Sequence, residues 1–370
     1  MSMRKTSDRK LARLQLLIDR ESCEDLRVPS ELWSKAMRRS VSIILVITLF
    51  TYGTTSAGEV SKRGTTAAPF LQFGVGGRAT GMGKAYTAIA DDPSSLYWNP
   101  AGMERLSSSS ISFSYMNWIA DMSFIHAGIV LKTNSIGSFG LSVTSLSTEE
   151  MLVRTVQEPE GLGWRFDAAD MAIGVSYAKD LTDRFSFGGT FKYIQRRIWH
   201  MEASAIAADF GILYSLPWQG MKLGISITNF GSKLQMQGID QVKSIDIDPN
   251  MAGNNSAVMA QLRPKEWALP LLFRLGLSYE LIKSSSHDVI LAMDVLHPND
   301  NDESVNVGLE YSYSDVLMLR VGYQAIFLES AEEGLTCGFG IETGRVGFDY
   351  SYNAMKHLGY VNQFTIQLAF

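Results

Sequence analysis

From Ser107 to Phe370 apolar side chains recur at every second position, with polar, small or charged residues between them. Successive side chains leave a strand on opposite sides, so a period of two specifies β-strands with unlike faces. The last stretch, Gly359 to Phe370, shows it plainly: Phe364, Ile366, Leu368 and Phe370 alternate with Gln363, Thr365, Gln367 and Ala369. The same pattern groups Ile111, Phe113 and Tyr115; Phe139, Leu141 and Val143; Ile173, Val175 and Tyr177; and Phe187, Phe191 and Tyr193. Further on come Phe273, Leu275, Leu277 and Tyr279; Leu317, Leu319, Val321 and Tyr323; and Val346, Phe348, Tyr350 and Tyr352. Such segments number about fourteen, an even number.

The opposite faces decide between two architectures. They carry Ser142, Lys192, Arg274, Asp294, Glu310, Arg320 and Asp349, with Glu342 and Arg345 near strand ends. A soluble sandwich would turn the apolar faces inward, whereas a membrane barrel turns them to lipid and lines its interior with the charges. Connection lengths favour the barrel. If the first strand rises from the periplasm, the long polar connections, Ser147 to Leu162, Gln237 to Lys265 and His297 to Glu303, lie outside. The tight ones, Thr133 to Gly137, Pro217 to Gly220, Ser314-Asp315 and Thr343-Gly344, lie at the periplasmic end. Tyr177, Tyr214, Tyr279 and Tyr313 fall near that end, where an interfacial belt is expected. Glycine is frequent on the inward faces, at Gly174, Gly188, Gly276, Gly308, Gly322, Gly338 and Gly340, which weakens strands unless another backbone must come close.

With 46% hydrophobic and 19% charged residues and a mean hydropathy of +0.01, the chain is not apolar enough for a helical membrane protein. The apolar run Val41 to Phe50 is too short to span about 30 Å of hydrocarbon and reads as a signal-peptide core, with Arg38 and Arg39 before it and Thr55-Ser56-Ala57 as cleavage site. Residues 1–57 are therefore assigned to an export signal, with Met37 as an alternative start, 58–106 to an N-terminal plug and 107–370 to the barrel. The net charge of −5 gives no basic surface for nucleic acid.

The stretch Ala67 to Met103 breaks the alternation. Gly74, Gly76, Gly77, Gly81 and Gly83 exclude a regular strand, and Lys84 to Ala90 reads as a short helix stopped by Asp91-Asp92-Pro93. Phe70, Leu71, Phe73, Leu96, Tyr97 and Trp98 would form the core of this unit, and Met251, Val258 and Met259 offer further apolar surface in a long connection. A phosphate loop is not encoded: Arg78 stands where the first glycine belongs, and Ala85 follows Gly83-Lys84 where a magnesium-binding hydroxyl is needed. His126, His200, His287, His297 and His357 are scattered without metal or catalytic spacing, and Cys337 is the sole cysteine beyond the signal. No enzyme, metal or cofactor is expected.

The stretch FLQFGVGGRATGMGKAYTAIADDPSSLYWNPAGM, followed by Asn117-Trp118-Ile119-Ala120-Asp121, closely resembles the PorV/PorQ family of the FadL-like group. Asn99-Pro100-Ala101-Gly102 looks like the element that group shares where plug meets barrel. A final strand ending on Phe370 resembles the signal read by the barrel-assembly machinery. The resemblance implies a plugged, fourteen-stranded barrel in the bacterial outer membrane, surrounded by lipid; the inward faces of the strands put Arg274, Asp294, Glu310 and Arg320 in its lumen, against the plug or lumen water. It also implies one of two roles. FadL-like proteins pass hydrophobic molecules, with a plug that would gate by shifting its glycine-rich backbone; PorV-like proteins serve type IX secretion and carry exported cargo proteins.

Overall fold

A computed structural model describes residues 62–133, 136–218, 220–246, 257–328 and 331–370. The expected export signal, Met37 and Met251 lie outside these residues.

Fourteen strands form the wall: β1 (Ser110–Asn117), β2 (Ser123–Thr133), β3 (Gly137–Ser147), β4 (Ala168–Thr182), β5 (Phe185–Ile198), β6 (Met201–Ser215), β7 (Met221–Gly231), β8 (Leu272–Lys283), β9 (His287–Pro298), β10 (Ser304–Tyr313), β11 (Leu317–Ile326), β12 (Glu333–Thr343), β13 (Val346–Met355) and β14 (Gly359–Ala369). Each pairs antiparallel with its sequence neighbours. The last meets the first, from Ser110 opposite Ala369 to Asn117 opposite Asn362, so the sheet is a closed up-and-down cylinder without a free edge. The Phe370 N–H donates to the Ser109 carbonyl at 2.8 Å and extends the closing ladder by one step.

Burial separates barrel from sandwich. Along β1, Ser110, Ser112 and Ser114 are buried while Ile111, Phe113 and Tyr115 are exposed. Elsewhere Leu141 is 54% and Val175 56% exposed, whereas Asp294 and Ser226 are fully covered. The apolar face is the outer one, as a lipid-facing wall requires. Among the described residues no helix is long and apolar enough to cross a membrane. The even-numbered connections are short, such as 183–184 and 344–345, and the longest, 148–167 and 232–271, are odd-numbered; 199–200 is odd yet tight. Short periplasmic turns place the long-connection end outside the cell.

The segment from Lys62 to Leu106 traverses the cylinder. At the outer end the Thr66 hydroxyl donates to Asp300 at 2.5 Å and the Ala67 N–H to the Ala268 carbonyl at 2.8 Å. At the periplasmic end Lys132 Nζ of β2 donates to the carbonyls of Glu104 and Leu106. Between them Phe70, Val75, Met82, Tyr86, Leu96 and Trp98 are buried. The helical turns differ from the expectation at Lys84 to Ala90. They occupy Gly77–Gly81 and Ser95–Trp98, with 3-10 turns at Pro69–Gln72 and Pro100–Arg105. Lys84 and Ala90 adopt φ of 61° and 33°, which no right-handed helix accommodates, and the Tyr86 and Thr87 N–H groups donate to the wall carboxylate Asp294 instead of to a preceding turn.

Candidate functional site

The interior site is the seam between the wall and this segment, and glycine makes it possible. A Cβ on Gly322 would lie 2.6 Å from Gly83 Cα, one on Gly276 2.9 Å from Ala88 N, and one on Gly188 2.5 Å from Ala101 N. A Cβ on Gly308 would meet Met82, and on Gly338 it would sit 3.3 Å from Gly81 Cα. Backbone therefore lies directly on backbone. Gly174 and Gly340 depart from the expectation, since Ser142 and Arg320 side chains of the wall fill their space. Gly128, Gly140, Gly211 and Gly224 extend the same seam, facing Leu96, Met103, Asn99 and Thr87.

The expected plug residues lie along this segment, some against the wall and some packed on the segment itself. Gly74, Gly76 and Gly83 take φ of 91°, 89° and 65°, which favours glycine over any residue with a Cβ. The Gly77 N–H donates to Thr365 Oγ1 at 2.9 Å, and the Gly81 carbonyl accepts from Thr336 Oγ1 at 3.1 Å. Thr80 Oγ1 lies 2.7 Å from Ser351 Oγ and 2.9 Å from Gln363 Oε1. Asn99 caps the final turn, its Oδ1 accepting from the Ala101 N–H at 3.2 Å, while its Nδ2 donates to the Thr87 carbonyl at 2.9 Å and to Ile212 of the wall at 3.0 Å. Pro100 opens that turn, Ala101 is fully buried, and a Cβ on Gly102 would overlap the Ala90 carbonyl.

The four expected lumen residues are all buried against the segment or its anchors. Arg78 donates twice to Glu310, at 2.9 and 2.8 Å, and once to Asp91 at 2.6 Å. Arg320 bridges Glu310 and Asp349, each at 2.6 Å. Asp294 accepts the Tyr86 and Thr87 N–H groups at 3.1 and 2.9 Å. Arg274 lies over the rings of Trp98 and Tyr97, 5.2 and 5.9 Å from their centroids. Arg345, by contrast, is exposed after the turn beyond β12, and Glu342 is exposed at its end.

Cavities flank the segment. The periplasmic one, about 380 Å³, has the charged Arg78, Asp91, Glu310 and Arg320 among its walls. The outer one, about 390 Å³, has Phe73, Trp98, Trp118, Leu272 and Arg274 among its walls. Phe73 leaves the segment's core to stack on Trp118 at 4.1 Å, so the two rings belong to this cavity. Sequence reasoning assigned neither the stacked pair nor Lys192 and Asp209, joined at 2.5 Å. The inward register of β5 and β6 was the available signal for the ion pair. Among the described residues no group of His, Cys, Asp and Glu is placed to hold a metal ion.

Residues 56–236 match the family model described as type IX secretion system protein PorV, a span holding the lumen segment and β1 to β7. No curated protein matches the chain by sequence. Among solved structures, the CymD monoaromatic hydrocarbon channel superposes with a TM-score of 0.53 at 13% identity, over 80% of this chain and 98% of that one. The toluene transporter TodX of Pseudomonas putida gives 0.53 at 12% identity over 80% and 96%, and TbuX of Ralstonia pickettii 0.51 at 12% over 80% and 98%. At such identities these likenesses concern the fold alone. The chain is a fourteen-stranded β-barrel of the bacterial outer membrane whose lumen segment and first seven strands match the PorV family.

Proposed function

We propose that this barrel is an outer-membrane component of type IX secretion, engaging exported proteins at its outer face while its lumen stays filled. The observation that carries the reading is the PorV match across the lumen segment and half of the wall. The glycine seam supports it, because a segment held backbone to backbone against β5, β8 and β10 to β12, and tied down by Arg78 and Asn99, resists displacement. A second reading, passage of a hydrophobic molecule with the segment as plug and gate, is favoured by the aromatic outer cavity at Phe73, Trp98 and Trp118.

One variant separates them. The Thr80 and Ser351 hydroxyls are 2.7 Å apart, so Thr80→Cys with Ser351→Cys places two sulfurs within bonding reach across the seam. Oxidised, the locked protein should still support surface display of exported proteins in cells lacking the native chain. Loss of hydrocarbon or fatty-acid uptake on locking, with protein display indifferent to deletion of the chain, would overturn the secretion reading in favour of transport.

A further inference from the structure

We infer that the periplasmic cavity binds an organic cation, an ammonium or guanidinium group on a flexible chain, with Ser312, Asp288 and Glu342 as its acceptors. Seven carboxylates and three guanidinium groups line that cavity, which leaves it negative. Its deep part is matched internally, since Arg78 and Arg320 are taken up by Asp91, Glu310 and Asp349. The part toward the mouth is not. Among the described residues no ion pair within 4.0 Å reaches Asp288, Asp315 or Glu342, and the one remaining guanidinium of the lining, Arg345, is exposed and pairs with none of them. A surplus of carboxylates alone is ordinary at a watered mouth; a buried, unpaired hydroxyl beside it is not. Ser312 is 9% exposed and lines the cavity on β10, opposite Asp288 of β9 and Met318 of β11, yet its Oγ has no hydrogen-bond partner. Burying a hydroxyl without a partner forfeits its bonds to water, so such groups are rare where nothing is meant to fill them. Asp288 accepts only the Ser284 N–H, at 3.1 Å, among the described residues.

The acceptors narrow the class. A bare metal ion needs oxygens converging to about 2.0–2.6 Å, and no group of His, Cys, Asp and Glu among the described residues is placed to hold one. An ammonium or guanidinium instead presents several N–H donors in different directions, each bonding an oxygen at about 2.7–2.9 Å, so acceptors on separate strands can share it. The volume of about 380 Å³ lies within the range of about 300–1,000 Å³ of small-ligand sites and leaves room for the chain behind the charge. Ile290 and Met318 among the walls offer apolar surface for its methylenes. A lysine or arginine side chain of a periplasmic polypeptide has this form, and so does a free aliphatic diamine. The site does not rest on the secretion reading.

The test is calorimetry on the purified full-length barrel in uncharged detergent at low salt, where charges are least screened. The probes are end-blocked Gly-Arg-Gly and Gly-Lys-Gly, end-blocked Gly-Gln-Gly as neutral control, 1,4-diaminobutane, and magnesium chloride. The expected result is a cationic probe binding at least about tenfold tighter than the glutamine peptide, weakened about tenfold by Asp288→Asn with Glu342→Gln and about fivefold by Ser312→Ala. Binding of the peptides without the diamine assigns the site to a polypeptide side chain, binding of the diamine without the peptides to a free diamine, and binding of both supports the site for either source. No cationic probe tighter than the control, affinity unchanged in the double variant or in Ser312→Ala, or magnesium bound in preference to every organic probe overturns the site. If a variant does not fold, judged by heat-modifiable gel mobility, the cationic-against-neutral comparison on the native protein decides.

Discussion

Replacing Gly322 by alanine should loosen the lumen segment while leaving the wall closed. The new Cβ would lie 2.6 Å from Gly83 Cα, with Met82 and the Gly83 nitrogen also inside contact distance. Carbon atoms prefer about 3.5–4.0 Å, so segment and wall must part by about 1 Å. Neither side can yield by rotating a side chain, because both are backbone. Overpacking of this kind costs about 1–3 kcal/mol, and alanine in place of glycine in a strand returns about 0.5–1 kcal/mol through the unfolded chain. A net loss of about 1–2 kcal/mol lowers the docking equilibrium by a factor of about 5–30. Hydrogen exchange reads it directly: the amides of Tyr86 and Thr87, which donate to Asp294, should lose protection by that factor while those of β1 and β14 keep theirs. Gly347→Ala is the matched control, since its nearest new neighbour is Gln367 Cβ at 3.7 Å, and it should leave the segment unchanged. Equal protection in Gly322→Ala and the native protein, or an equal loss in the control, would refute the steric argument.

Other outcomes follow from the same geometry. Asn99→Ala removes a cap and two hydrogen bonds that tie the segment to Thr87 and Ile212, and should cost about 1–3 kcal/mol, read as faster proteolysis between residues 62 and 106 in a barrel whose gel mobility is unchanged. Arg320→Met should destabilise the barrel in urea titrations by an amount near the lower end of about 3–5 kcal/mol, because Arg78 still holds Glu310 while Asp349 keeps only Gln367. In the outer loops the Glu332 carboxyl is held below its ordinary range, chiefly by the hydrogen bond from the His357 ring, with burial opposing and the His357 N–H assisting. A depressed carboxyl contributes above its unfolded pKa and loses that contribution as pH falls through the folded value. Protection of the His357 amide should therefore be full at neutral pH and vanish below the carboxyl range, and a pH-independent value would count against the contact.

The wall was legible because a two-residue period with charges on its weak face leaves few architectures, and Leu141 and Asp294 ended on the sides the alternation assigned. The inward glycines were also visible as a demand for close approach, and Gly308 and Gly322 proved to face Met82 and Gly83. The partners were not visible. Arg78 and Glu310 are 232 positions apart, and nothing local in either stretch names the other. The helical turns were misplaced for a related reason. Lys84 to Ala90 has helix-forming composition, but Lys84 takes a positive φ and the Tyr86 and Thr87 N–H groups go to Asp294 of the wall. The stacking of Phe73 on Trp118 joins two loops that carry no periodic signal.

The pairing of β1 with β14 sets an order of assembly. The ring is completed by β14, from Gly359 to Ala369, against a strand that directly follows the lumen segment. Once that ladder zips, the seam along β5, β8 and β10 to β12 is enclosed by the wall, with Gly83 and Gly322 too close for the segment to slide past a side chain. The segment must therefore be laid against an open, curved sheet before the cylinder shuts, so the finished wall traps its contents kinetically as well as by contact energy.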